Sequence, residues 1–418
     1  MLQNRRIFLR NSALAMAGTG TLPLWLERAA KGAETAGRRR KILVAIFQRG
    51  AADGLNIVVP HGDPQYYAMR PTIAIPRPSV ATPAESAIDL DGYFGLNPAL
   101  APLRPFWQQQ QLAIIHATGS PDPTRSHFDA QDYMESGTPG LKSTEGGWLN
   151  RALPAQSDNK SPVRAVSLGP NLARAMRGPN SAVAIESLSA FTVRDGAAAK
   201  AMESMYGMTG DQVLGGTGKD AFQAMSLLDS LRKTPYKPAA GVTYPKGKLG
   251  PSMQQIAQLI KADVGLEVAF ADIGGWDHHL NEVGQKVSLG PLATVLTEFG
   301  ASLAAFAQDL GDRMEDVVVV TMSEFGRTAK ENGNRGTDHG HGNVMFALGG
   351  PVRGGKVYGQ WPGLAKEQLY EARDLAVTTD FRDVLSEAVA SHLGNTNIAG
   401  VFPGYTGSAD RFRGFLKA

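Results

Sequence analysis

Cysteine is absent from the 418 residues of this chain. That excludes thiolate metal sites and cysteine nucleophiles, so any metal must be held by His, Asp, Glu or hydroxyl oxygens. It does not exclude export, because an oxidising compartment permits disulfides without requiring them. Also missing is any run of 18 apolar residues, so nothing in the body of the chain has the length to span a membrane. A basic surface is missing too, once the ends are separated. Residues 1–41 hold nine Lys/Arg and two Asp/Glu, which leaves 33 basic and 37 acidic residues in the remainder, a net charge of −4. Nothing there asks for nucleic acid. Histidine is scarce, with 8 in all.

What is present describes a globular, loop-rich protein: 43% hydrophobic residues, 48 glycines and 25 prolines. The N-terminus stands apart. "NRRIFLRNSALAMAGTGTLPLWLERAAKGA" opens on Arg5 and Arg6 and continues into a mildly apolar stretch of small residues. A charged start before a short apolar segment is the pattern of an export signal, and paired arginines point to the twin-arginine route that carries folded proteins. The expected organisation is a signal over residues 1–36, with cleavage between Ala30 and Ala36. A single α/β domain over 37–418 follows, delivered to the periplasm or secreted.

Short β-branched runs ending in polar loops recur along the body. "KILVAIF" (41–47) leads into "QRGAADGLN", "QLAIIHA" (111–117) into "TGSPDPTRSH", and "VGLEVAFADI" into "GGWDHH". "EDVVVVTM" leads into "SEFGRT", and "GNVMFALGG" forms a fifth run. Helical spacing fills 218–233, 251–262, 289–311 and 379–393. Strands alternating with helices predict a mostly parallel central sheet covered on both faces. In such sheets ligands bind beyond the carboxyl ends of the strands. Four consecutive strand ends here run into loops carrying Asp, His, Ser or Glu.

Each loop has a chemical reading and a plain one. In "GTDHGHGN", Asp338, His339 and His341 form a carboxylate–imidazole set suited to zinc, manganese or iron, or else a polar turn with exposed histidines. In "DIGGWDHH", Asp272, Asp277, His278 and His279 offer a second such set, although an aspartate after a turn also caps helices. One of His278 and His279 must point away, since adjacent side chains diverge. Glu324 in "SEFGRT" is a ligand candidate or a salt-bridge partner of Arg327. Asp53 in "RGAADGLN" is a ligand candidate or a turn residue. "SPDPTRSHFDAQDYMESG" places Thr124, Arg125 and Ser126 together, with His127, Asp129 and Asp132 after them. A hydroxyl beside a divalent cation makes an alkoxide nucleophile, and an arginine nearby holds the anion that forms. The plain reading is that Ser126 or Asp129 caps a helix. Two Asp/His sets in one chain favour a metal site.

The order of these parts resembles the alkaline phosphatase/sulfatase superfamily. "TTDFRDVLSEAVASHLG" is similar to that superfamily's closing helix. More closely, "QRGAADGLN", "GSPDPTRSHFDAQDYMESGTPG", "GGWDHH", "SEFGRT" and "GTDHGHGN" resemble a bacterial family of exported proteins, many with twin-arginine leaders, catalogued as a domain of unknown function. The likeness runs over nearly all of 40–418. It implies the superfamily's α/β fold, one or two divalent ions (zinc first, then manganese or calcium), ligands at Asp53, Asp277, His279, Glu324 and His339, and a nucleophile at Ser126. Two departures stand out. Glu324-Phe325 replaces the superfamily's Asp-His, and Asp53 lies a few residues beyond Arg49-Gly50, where an aspartate is expected. Asp338 or His341 then compensates, or a single ion binds. The spacing to Val344 favours His339 as ligand, with His341 facing substrate or orienting a neighbour.

The expected function is metal-dependent hydrolysis of a phosphate or sulfate ester, on a small molecule or a glycan, with Ser126 attacking and Arg125 holding the anion. The alternative is a non-catalytic exported protein that binds a glycan, an anion or a partner protein. The leader's expected partner is the twin-arginine export machinery. Replacing Arg5 and Arg6 together by lysine should therefore leave the protein in the cytoplasm, read by cell fractionation. Normal periplasmic delivery of that variant overturns the assignment of the leader.

Overall fold

The computed structural model describes residues 39–154, 159, 161–189, 222–229, 231–232 and 235–417. The leader at 1–36 lies outside the described residues. So do residues 218–221, 230 and 233 of the helix expected over 218–233, of which 222–229 and 231–232 are helical.

Strands β1 (Ile42–Gln48), β2 (Leu112–Gly119), β3 (Ala165–Leu168), β4 (Val183–Ile185), β5 (Val268–Ile273), β6 (Val317–Ser323), β7 (Asn343–Gly349), β8 (Lys356–Tyr358) and β9 (Thr379–Asp380) form one sheet. Its order is β8-β2-β7-β6-β1-β5-β3-β4, with β9 paired to β2. Every pairing is parallel except those of β7, which runs antiparallel to both β2 and β6. The mostly parallel α/β fold expected from the sequence is the one observed, and all five expected strands form.

The continuous apolar runs reflect burial on both faces. In β1, Ile42, Val44 and Ile46 join one core cluster while Leu43, Ala45 and Phe47 join the other. Helices α2 (Leu249–Lys261) and α3 (Pro291–Leu310) cover the first face, through Met253, Ile256, Leu296, Phe299, Leu303 and Phe306. Trp148, Phe402 and helix α4 (Phe381–Glu387) fill the second. The Pro/Gly-rich connection over 235–251 is anchored to α3. Buried Asp309 accepts from Tyr244 Oη at 2.8 Å, from the Ala239 amide at 2.7 Å, and from Tyr236 and Lys261. No described helix is long and apolar enough to cross a membrane.

The sheet sets the working edge. Gln48 pairs with both Ile273 and Ser323, so the carboxyl ends of β1, β5 and β6 finish level. Because β7 is antiparallel, its first residue lies at the same edge, with Asn343 paired to Thr118 of β2. A loop that precedes a strand is thus brought to the loops that follow four others.

Just beyond β1, Asp53 is buried against Arg70, which is itself fully buried. The guanidinium takes both carboxylate oxygens, with Nη2 at 3.0 Å from Oδ1, and donates to Ala329 O at 2.9 Å and Thr328 O at 2.8 Å. Burial works against the Asp53 charge, but the Arg70 pair overcomes it and holds the carboxyl below its ordinary range. Glu282 lies beside this pair, fully buried, accepting from Thr337 Oγ1 at 3.0 Å. Burial, then the Asp53 charge, push its carboxyl well above the ordinary value. The pair braces the first loop, so Arg70→Met should cost about 3–5 kcal/mol, measured as a lowered denaturation midpoint. A cost below about 1 kcal/mol, the scale of an exposed pair, would refute that role. Glu282 binds its proton more tightly folded than unfolded. Its stabilising contribution is therefore complete below the ordinary glutamate range and is lost as pH rises through its raised folded pKa. Glu282→Gln keeps an acceptor for Thr337, so the variant should gain on the natural protein as pH rises. An equal destabilisation at about pH 5 and about pH 9 would show that Glu282 holds no proton.

Candidate metal centre

Three ligand-type atoms, one each from His127, Asp277 and His339, lie within 4.8 Å of one another. They come from three separate loops at the working edge. His127 opens helix α1 (His127–Ser136) after β2, Asp277 follows β5, and His339 precedes β7. His127 Nε2 and His339 Nε2 are 3.0 Å apart. Asp277 Oδ1 is 3.3 Å from His339 Nε2, and its Oδ2 is 3.6 Å from His127 Nε2. His279 joins from the side, its Nε2 2.9 Å from Asp277 Oδ1 and 3.1 Å from His339 Nε2.

The far side of each ring decides what the near side offers. His127 Nδ1 is 2.8 Å from Glu324 Oε1, His339 Nδ1 is 3.0 Å from the Arg125 carbonyl, and His279 Nδ1 is 3.3 Å from Asp338 Oδ1. All three partners only accept. Burial alone would raise Glu324, but the His127 hydrogen bond brings it below its ordinary range. Asp338 is lowered first by Asn332 and then by His279. Each Nδ1 therefore donates, which leaves Nε2 as the ring atom turned toward the cluster, with those of His127 and His279 at 3.0 and 3.1 Å from that of His339. Lone pairs and a carboxylate 3.0–3.6 Å apart repel unless a cation or proton lies among them. A tetrahedral ion with nitrogen and oxygen ligands at about 2.0–2.2 Å sets its ligand atoms about 3.3–3.5 Å apart. The donor set fits a divalent ion.

The charges around the set are arranged to match. Glu324 also accepts from the Gly50 amide at 2.8 Å and Gln131 Nε2 at 2.9 Å, which fixes it behind His127. The Glu324 hydrogen bond raises the His127 pKa against the opposing effect of burial. Burial, with the charges of His127 and Arg327, lowers that of His339. Arg327, 1% exposed, donates to Asp277 Oδ1. Its other bonds reach Ala51 O at 2.8 Å, Gly50 O at 3.0 Å, Thr337 O at 3.1 Å and Trp276 O at 3.2 Å. Burial would raise the Asp277 pKa; Arg327 brings it below its ordinary value. The glycines of "GTDHGHGN" permit this packing. A Cβ on Gly340 would meet Arg327 C at 2.3 Å, and one on Gly336 would meet His279 C at 2.4 Å.

Of the residues expected at a site, Asp277, His279 and His339 come together. Glu324 and Asp338 stand one step out, each against a histidine rather than in the set. Glu324 does not pair with Arg327, which holds Asp277 instead. Asp53 is not brought in, because Arg70 occupies its carboxylate. His278 is buried and turned away, and burial followed by the Arg327 charge pushes it down to about 4. His341 lies outside the trio, buried, its ring stacked on Tyr370 at 4.6 Å. Ser126 is the exposed N-cap residue of α1, next to His127, and its hydroxyl caps nothing. The Arg125 guanidinium is already engaged, with Nη2 2.7 Å from both Glu371 and buried Asp374. His127 is the residue that sequence reasoning left out of the ligand set. The signal was its place one residue after Ser126, at the start of the helix that follows β2.

Three solved structures are similar over most of the chain. A sulfatase, PsFucS1, from Pseudoalteromonas sp. is 11% identical, with a TM-score of 0.39 over 90% of this chain and 72% of its own. An alkaline phosphatase from the Antarctic bacterium TAB5 is 9% identical, with a TM-score of 0.30 over 75% of this chain and 92% of its own. A phosphonate monoester hydrolase of Agrobacterium radiobacter is 11% identical, with a TM-score of 0.30 over 88% of this chain and 78% of its own. No curated protein matches the sequence. A family match runs over residues 40–400, a span that holds every strand of the sheet and all the loops that supply the histidines and carboxylates above. On that match the chain belongs to the family described as "Protein of unknown function (DUF1501)".

Proposed function

We propose that this protein is a metal-dependent hydrolase of phosphate or sulfate esters, working after export with Ser126 as its nucleophile. The observation that carries the reading is the convergence of His127, Asp277 and His339 within 4.8 Å. His127, Asp277 and His339 would hold the ion, with His279 beside them, and zinc suits that N/O set. When bound, the ion supplies positive charge that lowers the pKa of a nearby hydroxyl and offsets charge developing on the ester oxygens. The chain does the rest. Glu324, the Arg125 carbonyl and Asp338 hold the Nδ1 hydrogens, so the imidazoles keep their orientation. Ser126 is exposed, and α1 does not use its hydroxyl as a cap. In this reading Ser126 Oγ attacks phosphorus or sulfur, and the bond to the alcohol oxygen breaks. The serine proton reaches the departing alcohol through solvent, and water then hydrolyses the seryl ester and restores the hydroxyl.

One observation favours a second reading, metal-dependent binding of an anion or glycan without turnover. The Arg125 side chain is committed to Glu371 and Asp374 and so is not free to hold a developing anion.

Elemental analysis of the purified protein should find about one divalent ion per chain. His127→Ala and His339→Ala should lose it, and His341→Ala should keep it. Glu324→Gln should weaken the metal about 10–100-fold by releasing the His127 ring. The site on His127 Nε2 that would face the metal is also where its second proton sits. Metal affinity should thus fall as pH drops through the raised His127 pKa. With zinc loaded, 4-nitrophenyl phosphate or sulfate should turn over, and Ser126→Ala should lower that rate about a thousandfold or more while keeping the metal. Absence of metal together with no thermal shift on adding zinc, manganese or calcium would defeat both readings. Bound metal without turnover of either ester would leave the binding reading.

A further inference from the structure

Asp374 is wholly buried at the end of a tight turn between β8 and β9. Tyr370 and Asp374 close the turn by exchanging backbone hydrogen bonds at 2.9 and 3.0 Å. Between them Glu371 and Ala372 both have φ of +52°, a left-handed conformation that residues with a side chain seldom adopt. Strained positions of this kind gather at functional sites, where the surroundings hold them in place.

A buried carboxylate needs its charge matched. Two arginines match this one. Arg125 Nη2 donates to Asp374 Oδ2 at 2.7 Å, and Arg373 Nη1 lies 3.3 Å from the same oxygen. Each arginine also holds His339, and each by a different group. The Arg125 carbonyl accepts from His339 Nδ1 at 3.0 Å, and Arg373 Nη2 donates to the His339 carbonyl at 2.9 Å. The ring and the backbone of one residue thus lead to a single buried carboxylate. The other partner of Arg125, Glu371, has a side chain 54% exposed, so solvent screens that contact.

The neighbouring rings show what this does. His127 rests on Glu324 and His279 on Asp338, so each has a carboxylate directly behind it. His339 has a neutral peptide carbonyl instead. A carbonyl orients an imidazole only as firmly as its own residue is held. Here the holding group is Asp374, one residue further back.

We infer that Asp374 is a positioning residue of the metal centre, locking Arg125 and Arg373 so that His339 presents Nε2 to His127 and Asp277. This rests on the metal-centre reading above. Arg125 then acts through its carbonyl, and its guanidinium serves to fix that carbonyl in place.

Zinc affinity of the full chain, measured by chelator competition, is the first readout. The second is the His339 tautomer, read by imidazole nitrogen NMR on zinc-free protein at about pH 8.5, above the ordinary histidine range. Asp374→Asn keeps an oxygen for Arg125 but removes the charge. It should weaken zinc about tenfold and shift the His339 hydrogen from Nδ1 toward Nε2. Arg125→Gln retains the peptide carbonyl yet should do the same, and the double variant should be little worse than either, because the two act as one unit. Glu371→Gln, on the exposed side of Arg125, should change zinc affinity by less than about threefold. Melting temperatures of the zinc-free variants separate positioning from bracing. Lowered stability with zinc affinity and tautomer unchanged overturns the inference and leaves Asp374 a brace of the turn. Fully additive losses in the double variant overturn it too. If Asp374→Asn does not fold, an unchanged tautomer in Arg125→Gln does so by itself. Failure of the natural protein to bind zinc removes the metal reading, and the inference falls with it.

Discussion

The site hangs on one buried guanidinium. Arg327 leaves the end of β6 and bonds to the backbone after β1 at Gly50 and Ala51, and after β5 at Trp276. It also reaches Thr337 in the loop before β7. It is the common partner of the loops that carry Asp277 and His339, and it reaches His279 Nε2 at 3.5 Å. A buried arginine needs its charge matched and its donors filled. Asp277 supplies the first and four carbonyls the second. Packing this rigid fork fixes how the strand-end loops meet, so the position of the ligand atoms follows from satisfying Arg327 rather than from the ligands themselves.

The sheet was legible because its strands are buried on both faces and so read as uninterrupted apolar runs. β3 and β4 are short, four and three residues, and did not declare themselves. The direction of β7 was also hidden, since a buried antiparallel strand and a buried parallel one have the same pattern. The last helix was read as one element over 379–393. It is α4 to Glu387, then a wider turn over Ala388–His392. Within the site, the Asp/His pattern marked the loops after β5 and before β7, and Asp277, His279 and His339 do converge. Asp53 was indistinguishable from a ligand because its partner Arg70 lies 17 residues away in a segment without a motif. Sequence reports which groups exist; it does not report which of them are already paired.

His127 illustrates the same limit from the other side. In "PTRSHFD" the serine invites attention as a nucleophile, and the histidine after it looks like the first residue of a helix. The second is true of the structure, where the helix begins at His127. What makes His127 different is Glu324, from a strand two positions away in the sheet, which takes its Nδ1 hydrogen and turns Nε2 toward His339. The same Glu324 had seemed a ligand in its own right because it ends β6. The carboxylate that the sequence placed in the site serves instead to orient a histidine that the sequence placed beside it.

The pairing of Asp277 with Arg327 also bears on what an ion could do here. A carboxylate ligand ordinarily offsets part of a divalent charge. In this site that carboxylate is already neutralised by a guanidinium that is 1% exposed and cannot leave. The remaining near ligands are neutral imidazoles. Arg327 would repel an ion held by this set, while Glu324 behind His127 and Asp338 behind His279 would attract it through the rings they orient. The retention of such an ion therefore depends on the outer carboxylates as much as on the ligand atoms, and Arg327 sets where Asp277 stands rather than how tightly the ion is held.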